Sequence, residues 1–426
     1  MNAAYASGTA GSCCSVLGSL EWSTGGGVIS CSLTRATVRR AGAPEPGPRL
    51  PSVAKGPRRD SRAFTIIVSV LVCLGALPML LIIALSSAPG IAVLATVLAA
   101  VPVVPLVLCY LWLDRYEPEP RRLLLLGLLW GAFAATFGAL VVQGIGGLFA
   151  GVTDEVSLAL IAPVTEEFSK GLFLILLLWW RRAELDGVLD GIVYAGMVGI
   201  GFAFTENILY LGAAYNGTDG SAPGGLAGVT GTFVVRCLFS PFAHPLFTAF
   251  TGIGVGIAVT TRNPALRWLA PLGGYCCAVL AHATWNGSTI FGFQGFVGAY
   301  FLIMVPAFAG LIWLGVWSRR SERRMLTAAL GDAAQRGLFP ATDIGWVVDL
   351  RARRAARAYA KQIGGKAGEE QMRDYQQAAI ELGFLHHRYL RGTAPRDYAA
   401  RGQDFLALIN SIRPAIAFPG QVVPTR

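Results

Sequence analysis

Within long apolar runs, the sequence places residues that water normally keeps. Glu166, Glu167 and Lys170 fall in one run, Glu206 and Asn207 in the next, Arg236 and His244 in a third, and His282 and Asn286 in a fourth. An ionisable group costs several kcal/mol in hydrocarbon, so those that persist face the interior of a helix bundle, pair with one another and mark function. Lys170 follows Glu166 by four residues and Glu167 by three, so on a helix its ammonium reaches either carboxylate. A structural ion pair accounts for one of the two carboxylates. Adjacent like charges in low dielectric raise each other's pKa, so the second needs another purpose. His282 and Asn286, four apart in HATWN, share one helix face. A membrane histidine alone reads as a hydrogen-bonding link between helices. Two of them beside three carboxylates instead make the set a hydrolytic water requires: imidazole ligands or donors, a carboxylate base, and an amide for an oxyanion.

The elements that must carry these residues are membrane helices. A chain of 426 residues with 54% hydrophobic and 14% charged residues and a mean hydropathy of +0.54 is too apolar for an ordinary soluble protein. Apolar runs at roughly 64–86, 91–113, 123–149, 158–180, 187–212, 228–260, 268–290 and 296–317 each supply the ~20 residues a span needs. The expected fold is all-α and polytopic, with about eight transmembrane helices over 63–317. Basic residues cluster at alternate ends of these runs, at Arg58, Arg59 and Arg62, then Arg121 and Arg122, Arg181 and Arg182, Arg262 and Arg267, and Arg319 to Arg324. GVTDEVS at 151–157 and the Gly-rich stretch from Asn216 carry none. That alternation puts both termini in the cytoplasm of a cell membrane, bacterial in style. It also accounts for the net charge of +10 without a nucleic-acid partner.

Residues 1–62, rich in Gly, Ser, Ala, Pro and Arg, read as a disordered cytoplasmic tail with no signal-peptide core. Residues 318–426 turn to Arg, Ala, Gln and Glu in amphipathic runs, such as DLRARRAARAYAKQ, and read as a basic helical cytoplasmic tail. The eight cysteines show no CxxC pair or scaffold spacing. Pro241 and Pro245 bracket His244 and are expected to break the backbone ladder there, as membrane helices tolerate beside a cavity. Gly191, Gly196, Gly199 and Gly201 suit close helix packing.

Together VTEEFSKG at 164–171, FAFTEN at 202–207, His244 after Arg236, and HATWN resemble the PrsW family of intramembrane proteases, distant relatives of the membrane proteases that process prenylated CaaX proteins. DRYEPEP at 114–120 resembles the loop before that family's core, and the resemblance covers about residues 105–317. It implies peptide-bond hydrolysis in or beside the bilayer, on a single-span protein such as an anti-sigma factor. It carries the paired glutamates onto Glu166 and Glu167, the third acid onto Glu206, and the remaining positions onto His244, His282 and Asn286. Lys170 and Glu206 depart from the CaaX-processing pattern, which has Arg one residue further on and His in the second motif.

One of Glu166 and Glu167 is expected to activate the water while the other ligates or orients. Glu167, His244 and His282 are the expected zinc ligands, a metal-free glutamate mechanism being the alternative. Asn286 is the expected oxyanion donor, and Lys170 tunes the carboxylates. The competing class is a proton- or ion-coupled transporter, which also buries Glu, Lys and His, but no inverted repeat relates the two halves. HExxH, GxSG and GxGD signatures are absent. With the N-terminus inside, Glu166, Glu167 and Glu206 lie about 6–8 residues from the outer boundary, roughly 9–14 Å deep. The cavity is expected to open outward.

Overall fold

The computed structural model describes residues 62–116, 118–146, 153–218, 224–395 and 397–420. The expected N-terminal tail lies outside them except for Arg62. Among the described residues all regular structure is helical, and six stretches are long and apolar enough to cross a membrane. The protein is an all-α polytopic membrane protein.

The first stretch is α1 (Arg62–Ser86). In the second, α2 (Pro89–Ala100) and α3 (Val103–Leu113) meet at Pro102, which cannot continue the backbone ladder. The third joins α4 (Arg121–Leu129) to α5 (Thr136–Gly146) through a widened, π-helical turn at Trp130–Ala135. The short α6 (Asp154–Val156) and a second wide turn, Ser157–Ile161, lead into α7 (Ala162–Trp180), the helix of Glu166, Glu167 and Lys170. Next come α8 (Val188–Asn216), α9 (Gly225–Phe233), a wide turn at Val234–Phe239 and α10 (Ala243–Thr260). The sixth stretch, Pro264–Gln335, contains α11 (Pro264–Ser288), α12 (Gly292–Ala299) and α13 (Val305–Gln335). Within the described residues, each of the eight expected runs falls largely on helix, the run at 228–260 being interrupted between Phe239 and Ala243. The six stretches leave out α7, with its three charges, and merge the last two runs into one.

α13 passes Trp317 without a break and carries the chain from the apolar bundle into the C-terminal helices. There α14 (Ile344–Val348), α15 (Leu350–Leu390) and α16 (Tyr398–Ile412) gather a separate core around Leu326, Leu330, Tyr375, Ile409 and Phe418. Asp349 caps α15, its Oδ1 accepting from Arg351 N at 2.8 Å and Ala352 N at 3.0 Å. Two contacts fasten this region to the bundle: Arg388 to Asp186 at 2.8 Å, and Arg353 Nη1 to the Tyr116 carbonyl at 3.3 Å.

α8 is the hub of the bundle, buried along most of its length. A Cβ at Gly201 would lie 1.9 Å from the Leu128 carbonyl oxygen, so only glycine lets α8 and α4 come this close. Such contact matters in a membrane, where helices associate through van der Waals packing because lipid tails are as apolar as leucine.

Candidate active site

Four helices bring the polar residues together. On α7, Lys170 is fully buried and its Nζ donates to Glu167 Oε1 at 2.8 Å and Glu166 Oε2 at 3.3 Å. The same ammonium lies 3.0 Å from His244 Nδ1 and 3.8 Å from the centre of the Phe202 ring. An ammonium can only donate, so Nδ1 of His244 accepts and Nε2 carries the proton. Nε2 then donates to Glu206 Oε2 at 2.6 Å. Arg236 also donates to that oxygen, and its Nε reaches Asn207 Oδ1 at 2.8 Å.

His282 on α11 completes the cluster. Its Nδ1 donates to Glu167 Oε1 at 3.0 Å, which leaves the lone pair on Nε2, 3.8 Å from Glu166 Oε2. Its ring stacks on Phe247, centroids 4.6 Å apart, which fixes the imidazole plane. Glu167 has no free side: Lys170 and His282 hold Oε1, and Thr248 donates to Oε2 at 3.1 Å. Glu166 is held more loosely, its Oε1 taking only a long 3.4 Å contact from Gln143. Three carboxylates, Glu166, Glu167 and Glu206, face the basic side chains of Lys170 and Arg236.

The cluster borders a cavity of about 590 Å³. Glu166, Glu206, Arg236, His244, His282 and Asn286 line it, whereas Glu167 and Lys170 do not. Asp154, Ser157, Tyr210 and Ala213 continue the wall towards the end of the bundle where α6 starts and α8 finishes. The wide turn Val234–Phe239 carries Arg236 and ends at Ser240, whose hydroxyl donates to the Val235 carbonyl at 2.7 Å. π-helical turns commonly re-aim side chains at functional sites.

Several expectations change in detail. Of the two prolines around His244 only Pro241 interrupts the helix. α10 begins at Ala243, so Pro245 sits in its first turn, where no intrahelical donor is lost. The carboxylate grouped with the two histidines is Glu166, where Glu167 was the expected metal ligand. Atoms of Glu166, His244 and His282 lie within 4.8 Å of one another, while both Glu167 oxygens are committed to hydrogen bonds. Asn286, the expected oxyanion donor, gives its amide to the Leu158 carbonyl at 3.1 Å and lines the wall of the cavity.

Thr248 and Gln143 did not stand out from the sequence as parts of a site. Thr248 follows His244 by four residues on the same face of α10, a spacing that could have identified it. Gly199 lies against the turn that holds His244: a Cβ there would meet Pro245 N at 2.7 Å and the His244 carbonyl oxygen at 2.8 Å.

A bundle of apolar helices that buries carboxylates and imidazoles beside a cavity suits one class in particular, the intramembrane hydrolases. Residues 119–311 match a family described as PrsW family intramembrane metalloprotease. The Protease PrsW of Geobacillus kaustophilus is 32% identical over 191 residues, covering 42% of this chain and 77% of that protein. The Protease PrsW of Oceanobacillus iheyensis is 32% identical over 154 residues, 35% of this chain and 59% of its own length. No solved structure matches the chain significantly. The chain belongs to the PrsW family of intramembrane metalloproteases. It is a membrane-embedded peptidase acting on membrane protein in the bilayer.

Proposed function

We propose that the cavity cleaves a single-span membrane protein, such as an anti-sigma factor, near the extracytoplasmic end of its span. One observation carries this reading: Glu166 and the lone pair of His282 Nε2 face the same cavity with acceptor capacity to spare, while every neighbouring charge is held in place. In this reading, Glu166 takes a proton from water as its oxygen attacks the scissile carbonyl. Asn286, released from Leu158, donates to the oxyanion. The C–N bond then breaks, and Glu166 passes its proton to the leaving amine. Glu167 and Thr248 hold His282 in one tautomer and orientation, and Lys170 with Arg236 offsets the carboxylate charge.

The donor set suits a divalent transition metal. Glu166, His282 and His244 offer one oxygen and two nitrogens, and His282 already gives its other ring nitrogen to a carboxylate, as metal-binding histidines do. His244 would exchange one of its present hydrogen bonds for the ion. Zinc held there would polarise the scissile carbonyl and lower the pKa of water.

The lining from Asp154 and Ser157 inward supports an extracytoplasmic opening, given both termini in the cytoplasm of the cell membrane. The test is cleavage of a single-span peptide co-reconstituted in lipid, with both product ends mapped by mass spectrometry. Product ends in the extracytoplasmic half, together with loss of activity on chelation and recovery with zinc, are expected. A cut at the cytoplasmic end would refute the placement, and undiminished cleavage by metal-free protein would refute the metal.

A further inference from the structure

A second cavity, of about 730 Å³, lies where α3 and α13 leave the bundle together, and its chemistry differs from that of the first. Trp112, Tyr116, Val316 and the arginines at 319, 320, 323 and 324 line it, with no carboxylate in the lining. Arg319 lies over the Trp112 ring at 4.0 Å and faces Tyr116 at 5.5 Å, so it is held in place without an anion. Among the described residues only Arg323 of the four has a carboxylate partner, Asp349 at 3.1 Å, and that pair is exposed. Glu322 is not part of the lining, although its carboxylate interacts electrostatically with Arg319 from outside it. Several positive charges therefore converge on one space.

Immediately above it both helices present bare apolar surface. On α13 the spacing 312, 313, 316, 317, 319, 320, 323 runs along one face, and on α3 the spacing 108, 111, 112 does the same. Leu108, Ile312, Trp313 and Trp317 on these faces are all exposed. Apolar faces ending in a cationic pocket flanked by tryptophan match an anionic amphiphile at the membrane surface. A free phosphate would satisfy the arginines but would leave the seam above uncovered. Alternating topology explains why arginines lie at this end of the bundle; it does not explain their convergence on one pocket.

We infer that this seam is a binding site for an anionic diacylphospholipid, with the phosphate headgroup among Arg319, Arg320 and Arg324 and the acyl chains along α3 and α13. Arg323 and Arg353 tie the same corner to α15, so the bound lipid braces the junction between the bundle and the C-terminal helices.

The experiment uses the full chain, purified in detergent and stripped of lipid, with phosphatidylglycerol, phosphatidylcholine or inorganic phosphate added back. Native mass spectrometry counts retained lipid, and a thermal melt follows Tm. Phosphatidylglycerol should be retained and raise Tm, while phosphatidylcholine and inorganic phosphate do neither. The double variant Arg320→Gln/Arg324→Gln, both positions exposed, should weaken retention about tenfold. The control Arg121→Gln/Arg122→Gln removes equal charge from the exposed start of α4 and should leave retention unchanged. Equal retention of phosphatidylcholine, an equal Tm shift with inorganic phosphate alone, or equal losses in both double variants would overturn the site.

Discussion

Two of the buried ionic networks, one in the membrane bundle and one in the C-terminal helices, are built to opposite ends. In the C-terminal core, fully buried Asp343 accepts from Tyr375 at 2.6 Å and from Arg413 Nε at 2.5 Å on Oδ2. Its Oδ1 accepts from Arg413 Nη2 and Thr342 Oγ1, both at 3.1 Å. Every oxygen is used, and Asp343 lines none of the cavities described above. In the bundle, Glu167 is equally saturated, but its neighbour Glu166 keeps acceptor capacity and faces 590 Å³ of space. A saturated buried carboxylate holds structure together. One left partly free beside a cavity can move a proton.

The largest expected effect tests that contrast directly. Glu166→Gln or His282→Ala should lower the rate of peptide cleavage by about 10²–10⁴-fold while the protein still inserts and melts as the wild type does. Asp343→Ala should do the reverse. It removes the buried carboxylate to which Arg413 and Tyr375 both donate and should cost roughly 3 kcal/mol of stability in the C-terminal helices, read by denaturant melts or hydrogen exchange, with cleavage unchanged. If Asp343→Ala stopped cleavage while those helices stayed folded, the division into a structural and a chemical network would be wrong.

A smaller effect should come from Gly199. Its Ala variant places a methyl carbon 2.7 Å from Pro245 N and 2.8 Å from the His244 carbonyl oxygen, so the first turn of α10 must shift and carry His244 with it. About a tenfold fall in kcat with little change in KM is expected, because Gly199 does not line the cavity while the geometry of His244 changes.

The smallest effect concerns the fastening between the two regions. Burial pushes the Asp186 carboxyl up to about 6 from 3.8, more than the Arg388 guanidinium can offset. Between those values the folded protein binds more protons than the unfolded chain. Stability should therefore fall as pH rises through about 4 to 6 and level off above. Arg388→Gln removes the offsetting charge and should extend the falling limb to higher pH. Melting curves across pH 4–7 read both, and a slope of the opposite sign would remove Asp186 from the account.

Much of this was legible in the sequence because membranes impose simple rules. The apolar runs coincide with helices since a backbone in lipid must satisfy its own hydrogen bonds. Glu166, Glu167, Lys170, Glu206, His244 and His282 meet because charges in hydrocarbon have no other stable arrangement. The proline reading at Pro245 went too far, since the position of a proline within its helix turn sets its cost, and that turn starts only where α10 does.

Residue types and spacing thus determined the class of chemistry and the four helices that supply it. The tertiary structure decided which carboxylate faces the cavity. Glu166 and Glu167 are adjacent, about 100° apart around α7, and no periodicity tells one face from the other until α5, α10 and α11 have packed. It also decided that Thr248 and Gln143 belong with the glutamates. A hydroxyl and an amide are common in membrane helices, and only their placement opposite a buried charge sets these two apart.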